Sequence, residues 1–111
     1  MIEWSRVDEL IDEIGAEDFG EVVELFLCEV EGAIAKLEAA DSDLTIIEDQ
    51  MHFLKGAALN LGFSALAQLS FKGEKAAAGG EVNAVTSAEI RQVFEASRID
   101  FEAGLPTRLA A

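Results

Sequence analysis

Imidazole chemistry in this chain can come from one residue only, because His52 is the single histidine among 111 residues. A neutral imidazole presents a nucleophilic nitrogen near pH 7, and a phosphoryl group bound to that nitrogen stays reactive enough to be passed on. Position alone leaves a second interpretation open, since an isolated histidine on an acidic helical protein is usually an ordinary surface residue. The neighbours of His52 must decide between the two.

The segment around His52 has the periodicity of an amphipathic helix. At about 100° per residue, one apolar stripe is centred roughly 150° around the helix axis from His52. The stripe consists of Ile47, Met51, Leu54, Ala58 and Leu61. If this stripe faces the core, His52 faces solvent.

Four residues share the predicted face of His52, namely Glu48, Lys55, Gly56 and Leu59. The Lys55 ammonium could neutralise charge on an arriving phosphoryl oxygen, and Glu48 could orient the ring or add solubility. Gly56 costs roughly 1 kcal/mol of helix stability relative to alanine but leaves room for a docking protein, which would also meet Glu48 and Leu59. Taken singly, Lys55 could instead be a surface ion-pair partner and Gly56 a site of close helix packing. Their combination with His52 favours phosphoryl transfer.

The charge of the chain excludes some partners. Eight basic and 22 acidic residues give a formal net charge of −14. Such a surface repels nucleic acid and anionic lipid. No apolar stretch approaches the roughly 20 residues that span a bilayer, and the first residues lack the pattern of a signal peptide. We therefore expect a cytoplasmic monomer that binds neither nucleic acid nor membrane.

Metal and disulfide chemistry have little support. Cys28 is the single cysteine, so an internal disulfide or a cysteine-based zinc site cannot form, and its apolar helical surroundings predict a buried packing residue. A carboxylate-bridged metal bundle would need Glu-x-x-His on two helices. The chain has one histidine, and Glu48 lies at the wrong spacing before it. No metal site is predicted.

Helical periodicity and capping signals divide the chain into five helices. The first helix begins at Trp4 and ends at Ile14-Gly15. The second ends near Ala40, and its apolar positions are Phe19, Val22, Phe26, Val30, Ala33 and Leu37. The third is capped by Asp43 and runs from about Leu44 to Leu61 and Gly62. The fourth helix begins at a Ser64 cap, is weakened by Gly73 and ends at Gly79-Gly80, and its apolar positions are Leu66, Leu69 and Ala76. The last helix begins at a capping box, Thr86 to Glu89, and continues until Gly104 and Pro106. Its apolar positions are Ile90, Val93, Phe94 and Phe101.

Short links between long amphipathic helices favour antiparallel neighbours. We therefore predict an all-α protein, an antiparallel up-and-down four-helix bundle with a short additional N-terminal helix. The length suits one domain over residues 1–111.

The residues around His52 resemble the signature of the histidine-containing phosphotransfer (HPt) family, a histidine, two residues and Lys-Gly, with a second glycine ten residues after the histidine. Here the pattern is His52-Phe53-Leu54-Lys55-Gly56, followed by Gly62. The similarity extends over about the first 80 residues. Two residues depart from the family pattern: Met51 replaces a small residue before the histidine, and Gly73 replaces an apolar residue before a glutamate.

The resemblance implies a phosphorelay intermediate. His52 would be the phosphoacceptor, Lys55 would stabilise phosphoryl charge, and Gly56 would admit a response-regulator receiver domain or a hybrid histidine kinase. The catalytic groups and the magnesium ion would belong to the receiver, so the chain would need no cofactor and would lack kinase activity of its own. The alternative is a helical adaptor or sequestering module for signalling proteins in which His52 is incidental.

Overall fold

Five helices make up most of the chain in the computed structural model, which describes residues 1–110. They are α1 (Trp4–Ile14), α2 (Ala16–Ala39), α3 (Leu44–Leu61), α4 (Ser64–Ala78) and α5 (Ser87–Ala110). The β-pairing among these residues is one isolated antiparallel bridge between Ile2 and Phe63. None of the helices described is both long and apolar enough to cross a bilayer. The predicted all-α bundle with an additional N-terminal helix is confirmed.

The apolar stripe predicted on α3 does face the core. Its five residues, Ile47, Met51, Leu54, Ala58 and Leu61, are all buried. Just beyond α3, the ring of Phe63 lies 5.0 Å from that of Phe26 on α2 and 5.2 Å from that of Phe101 on α5, measured between centroids. This packing fixes the rotation of α3 about its axis, so the opposite face of the helix is held toward solvent.

Local signals set both ends of α3 as predicted. Oδ1 of Asp43 accepts hydrogen bonds from the backbone N–H groups of Thr45 (3.0 Å) and Ile46 (3.2 Å), which would otherwise lack partners at the helix start. Gly62 ends the helix in the left-handed conformation, with φ 84°.

The predicted capping box at the start of α5 is also confirmed. The backbone N–H of Glu89 donates to Oγ1 of Thr86 at 3.1 Å, and the backbone N–H of Thr86 donates to Oε1 of Glu89 at 3.1 Å. The two residues thus satisfy each other's free amides.

The predicted Ser64 cap is wrong. The Ser64 hydroxyl donates to the carbonyl oxygen of Met1 at 2.8 Å, and Phe63 takes the N-cap position of α4 without a side-chain hydrogen bond. The segment before α1 runs past the start of α4 here, and the carbonyl oxygen of Met1 also accepts a hydrogen bond from the backbone N–H of Ser64 at 3.0 Å.

The last helix continues past Gly104 and Pro106 to Ala110, so its predicted end is wrong. Tertiary contacts with α1 hold the extra turns. The ring of Trp4 stacks on Phe101, and a Cβ on Gly104 would lie only 2.4 Å from Cζ2 of Trp4. Arg108 also pairs with Asp8 at 2.8 Å. Gly104 therefore makes room for an aromatic ring and does not end the helix.

Cys28 is exposed, which corrects the expectation of a buried packing residue. It lies two residues from both Phe26 and Val30, which are buried, and at about 100° per residue this places it on the opposite side of α2. On the same helix Val23 is buried, whereas the predicted core residue Val22 is only half-buried.

Candidate functional site

His52 lies on the solvent side of α3, as its helical position predicts. Its side chain is 69% exposed, whereas the preceding residue, Met51, is buried at 1%. An exposed imidazole on a rigid, packed helix is accessible to another protein while its backbone stays fixed. That combination suits a nucleophile that reacts with a partner's group.

A carboxylate from the next helix holds the imidazole. Nδ1 of His52 lies 2.6 Å from Oε2 of Glu74 on α4. The other oxygen of the same carboxylate, Oε1, accepts a hydrogen bond from Nζ of Lys55 at 2.7 Å. Glu74 therefore bridges the predicted nucleophile and the predicted cation.

The ionisation of Glu74 follows from these contacts. The hydrogen bond from Lys55 lowers the pKa of the Glu74 carboxyl most, desolvation acts in the opposite direction, and the hydrogen bond with His52 lowers it further. The carboxylate is thus an anion near neutral pH and can only accept hydrogen bonds. Nδ1 of His52 must therefore carry the hydrogen, which leaves the lone pair of a neutral imidazole on Nε2.

Lys55 is more constrained than a typical surface lysine. Its side chain is 25% exposed, and its ammonium lies 5.1 Å from the centroid of the Phe71 ring on α4. Lys75 lies 5.3 Å from the same centroid. Lys55 thus pairs across two helices with Glu74 rather than with an acidic neighbour on its own helix, the simpler alternative that its spacing left open.

Gly56 borders open space. A Cβ built on Gly56 would meet nothing within 4 Å, so close helix packing does not explain this glycine. It lines a groove of about 610 Å³ between α2 and α3 together with His52, Leu25 and Phe53. A larger residue at position 56 would project into that groove.

The remaining residues predicted on the His52 face have different surroundings. Leu59 is 59% exposed and free to contact a partner. Glu48 is half-buried and makes no side-chain hydrogen bond within residues 1–110, so Glu74, and not Glu48, orients the ring. Two exposed apolar residues that sequence reasoning did not select, Leu25 (60% exposed) and Phe53 (40%), flank the groove beside His52.

Glu74 is the candidate site residue that sequence reasoning missed. A helical wheel relates residues of one helix only, and Glu74 is 22 positions from His52. A signal was present: Ser70, Gly73 and Ala77 form the buried stripe of α4, and Glu74 lies at the edge of that stripe. Choosing Glu74 would have required the alignment of α4 against α3.

The residues described hold no group of three or more histidine, cysteine or acidic side chains that could bind a metal ion. The carboxylate-bridged metal bundle considered from the sequence therefore has no ligand set in residues 1–110.

A bundle of helices that presents one oriented, solvent-facing imidazole beside an ammonium is the arrangement expected of a histidine phosphocarrier. Comparison with family profiles agrees: the Hpt domain profile matches residues 21–100. The chain belongs to the Hpt domain family, whose members carry phosphoryl groups on histidine in two-component phosphorelays and are phosphocarriers rather than catalysts. Comparisons with curated proteins and with solved structures gave no significant match.

Proposed function

We propose that this protein is a phosphorelay intermediate in which Nε2 of His52 accepts a phosphoryl group from a receiver-domain aspartate and passes it to a second receiver domain. The supporting observation is the orientation of the ring, since Glu74 holds Nδ1 at 2.6 Å while the side chain as a whole is 69% exposed. The donor would be a hybrid histidine kinase or a response regulator, and the chain itself would have no kinase activity.

In the transfer step, the Nε2 lone pair attacks phosphorus while the bond between phosphorus and the aspartyl oxygen breaks. The aspartate leaves as a carboxylate, and the new N–P bond leaves a positive charge on the ring. Nδ1 keeps its hydrogen and donates a hydrogen bond to Glu74, whose negative charge stabilises the positively charged ring. Transfer to the next receiver reverses these events.

Lys55 would stabilise the phosphoryl oxygens. Its ammonium lies 2.7 Å from Oε1 of Glu74 and also contacts the face of the Phe71 ring. These contacts hold the positive charge close to the site before a partner binds, so little side-chain freedom is lost during transfer. Magnesium and the remaining catalytic groups would come from the receiver domain, because this chain supplies no corresponding acidic ligand cluster within residues 1–110.

The partner would dock on the surface around His52, which we call the docking face and define as Leu25, Glu48, Phe53, Gly56 and Leu59. Leu25, Phe53 and Leu59 are exposed apolar side chains, and such residues at a protein surface favour association when they are covered. Gly56 leaves the groove beside the imidazole open. We propose one domain over residues 1–111 that acts as a cytoplasmic monomer.

Labelling with a phosphorylated receiver domain tests the assignment. The wild-type chain should acquire label that is lost in acid and kept in alkali, as expected for phosphohistidine, and His52→Gln should acquire none. If the wild-type chain binds the receiver without acquiring label, the adaptor function replaces the proposed one.

Docking can be separated from chemistry with the small-molecule donor phosphoramidate. Leu59→Ser should lose most transfer from a phosphorylated receiver but retain labelling by phosphoramidate, because only the former needs the docking face. Ile99→Ser is a matched control, since Ile99 is 68% exposed on a different helix, α5. Equal losses in both reactions, or an equal loss in the control, would contradict the docking face.

A further inference from the structure

The helices α3 and α4 meet beside the site through an unusual pair of residues. Gly73 on α4 is buried, and a Cβ built on it would lie 2.8 Å from Sδ and 2.9 Å from Cε of Met51. Met51 is itself 1% exposed. The long side chain of one helix thus occupies the space that a side chain on the other would need.

This contact is adjacent to the site on both helices. Met51 immediately precedes His52, and Gly73 immediately precedes Glu74. Lys55 follows Met51 by about one turn and lies within roughly 40° of it around the axis, on the side of α3 that faces α4. Any shift of α4 against α3 at this contact would therefore change the positions of Glu74 relative to both His52 and Lys55.

The separation of two packed helices depends on the side chains at their contact. A glycine opposite methionine allows one separation and alignment, whereas two large residues would force the helices apart. The two hydrogen bonds of Glu74, at 2.6 and 2.7 Å, leave little tolerance for such a displacement.

We propose that the Met51–Gly73 pair is a positioning device that aligns α4 with α3 so that the Glu74 carboxylate reaches both Nδ1 of His52 and Nζ of Lys55. Neither residue contacts the phosphoryl group. Both act through Glu74, and the effect on transfer rests on the proposed function of His52.

The test exchanges the sizes of the two residues. Gly73→Met should separate the helices, lower the rate of transfer from a phosphorylated receiver by about tenfold or more, and return the pKa of the Glu74 carboxyl toward its ordinary value. Adding Met51→Ala to Gly73→Met restores one large and one small residue at the contact. This exchanged pair should recover most of the transfer rate and the lowered Glu74 pKa. Carbon-13 NMR titration of the Glu74 carboxyl measures the latter without any partner.

Gly20→Met is the matched control, because Gly20 is a helical glycine on α2 whose Cβ would meet nothing within 4 Å. It should transfer at the wild-type rate, within about twofold. Circular dichroism checks folding. If Gly73→Met does not fold, the transfer rate and the Glu74 pKa of the exchanged pair are compared with those of the wild type instead.

The proposal is overturned if Gly73→Met keeps both the wild-type rate and the lowered Glu74 pKa, or if the exchanged pair folds with Glu74 at its ordinary pKa. If the wild-type chain accepts no phosphoryl group, the proposed function fails. The Glu74 titration still decides the positioning role in that case.

Discussion

Nδ1 of His52 and Oε2 of Glu74 lie 2.6 Å apart although the two residues belong to different helices. The same carboxylate binds Lys55, so three charged or ionisable groups form one hydrogen-bonded unit on the surface. The carboxylate can only accept, which assigns the hydrogen to Nδ1 and the lone pair to Nε2. The orientation of the His52 ring therefore depends on α4 as well as on its own helix.

Replacement of Glu74 tests this unit. Glu74→Ala frees the ring to rotate and to exchange tautomers, and we expect transfer from a phosphorylated receiver to slow by roughly 10- to 100-fold. Glu74→Gln keeps an acceptor oxygen for Nδ1–H but loses the negative charge, so its rate should lie between those of Glu74→Ala and the wild type. Rapid-quench measurement of phosphohistidine formation gives these rates, and a wild-type rate in Glu74→Ala would remove Glu74 from the mechanism.

The lowered pKa of Glu74 predicts how its contribution to stability depends on pH. A carboxyl whose pKa is depressed on folding stabilises the protein above its unfolded pKa, here about 4.5, and the contribution is lost as pH falls toward the folded pKa. The difference in unfolding free energy between wild type and Glu74→Gln should shrink as the pH falls below 4.5. Urea denaturation at a series of pH values measures it, and a difference that grows on acidification would contradict the ion pair.

Sequence reasoning was most successful where one helix contained the whole pattern. His52, Lys55 and Gly56 lie within five consecutive residues, and the buried stripe of α3 correctly predicted the exposure of His52. The caps at Asp43 and Thr86 were also local and were confirmed. These features depend on helical geometry and neighbouring residues, which a single sequence contains.

The features that the sequence did not predict depend on tertiary contacts. Met51 and Gly73 were treated as two separate departures from the family pattern, yet they are in contact, and each explains the size of the other. Glu74 was missed because its role requires the alignment of α4 against α3. The end of α5 was misplaced because α1 supports its last turns, through Trp4 packed against Gly104.

Removal of the Lys55 charge should separate activity from stability. Lys55→Ala should slow transfer by about tenfold or more because the phosphoryl oxygens lose their ammonium partner. The free energy of unfolding should change by only about 1 kcal/mol, since the residue is partly exposed. Lys72→Ala removes the same charge from an exposed position on α4 and should leave the transfer rate unchanged. A large loss of thermal stability with a normal transfer rate would contradict the role given to Lys55.

Replacement of Gly56 should stabilise α3 but, with a large side chain, block the access of a partner to His52. A Cβ at this position meets open space, so Gly56→Ala should stabilise α3 by roughly 0.5–1 kcal/mol through helix propensity. Gly56→Leu should keep much of that gain but fill the groove beside His52, and transfer from a phosphorylated receiver should fall while labelling by phosphoramidate persists. Gly20→Leu, at another open helical glycine, should be stabilised similarly and transfer normally. Thermal denaturation with parallel labelling measures both effects, and normal receiver transfer by Gly56→Leu would show that the partner does not approach along this groove.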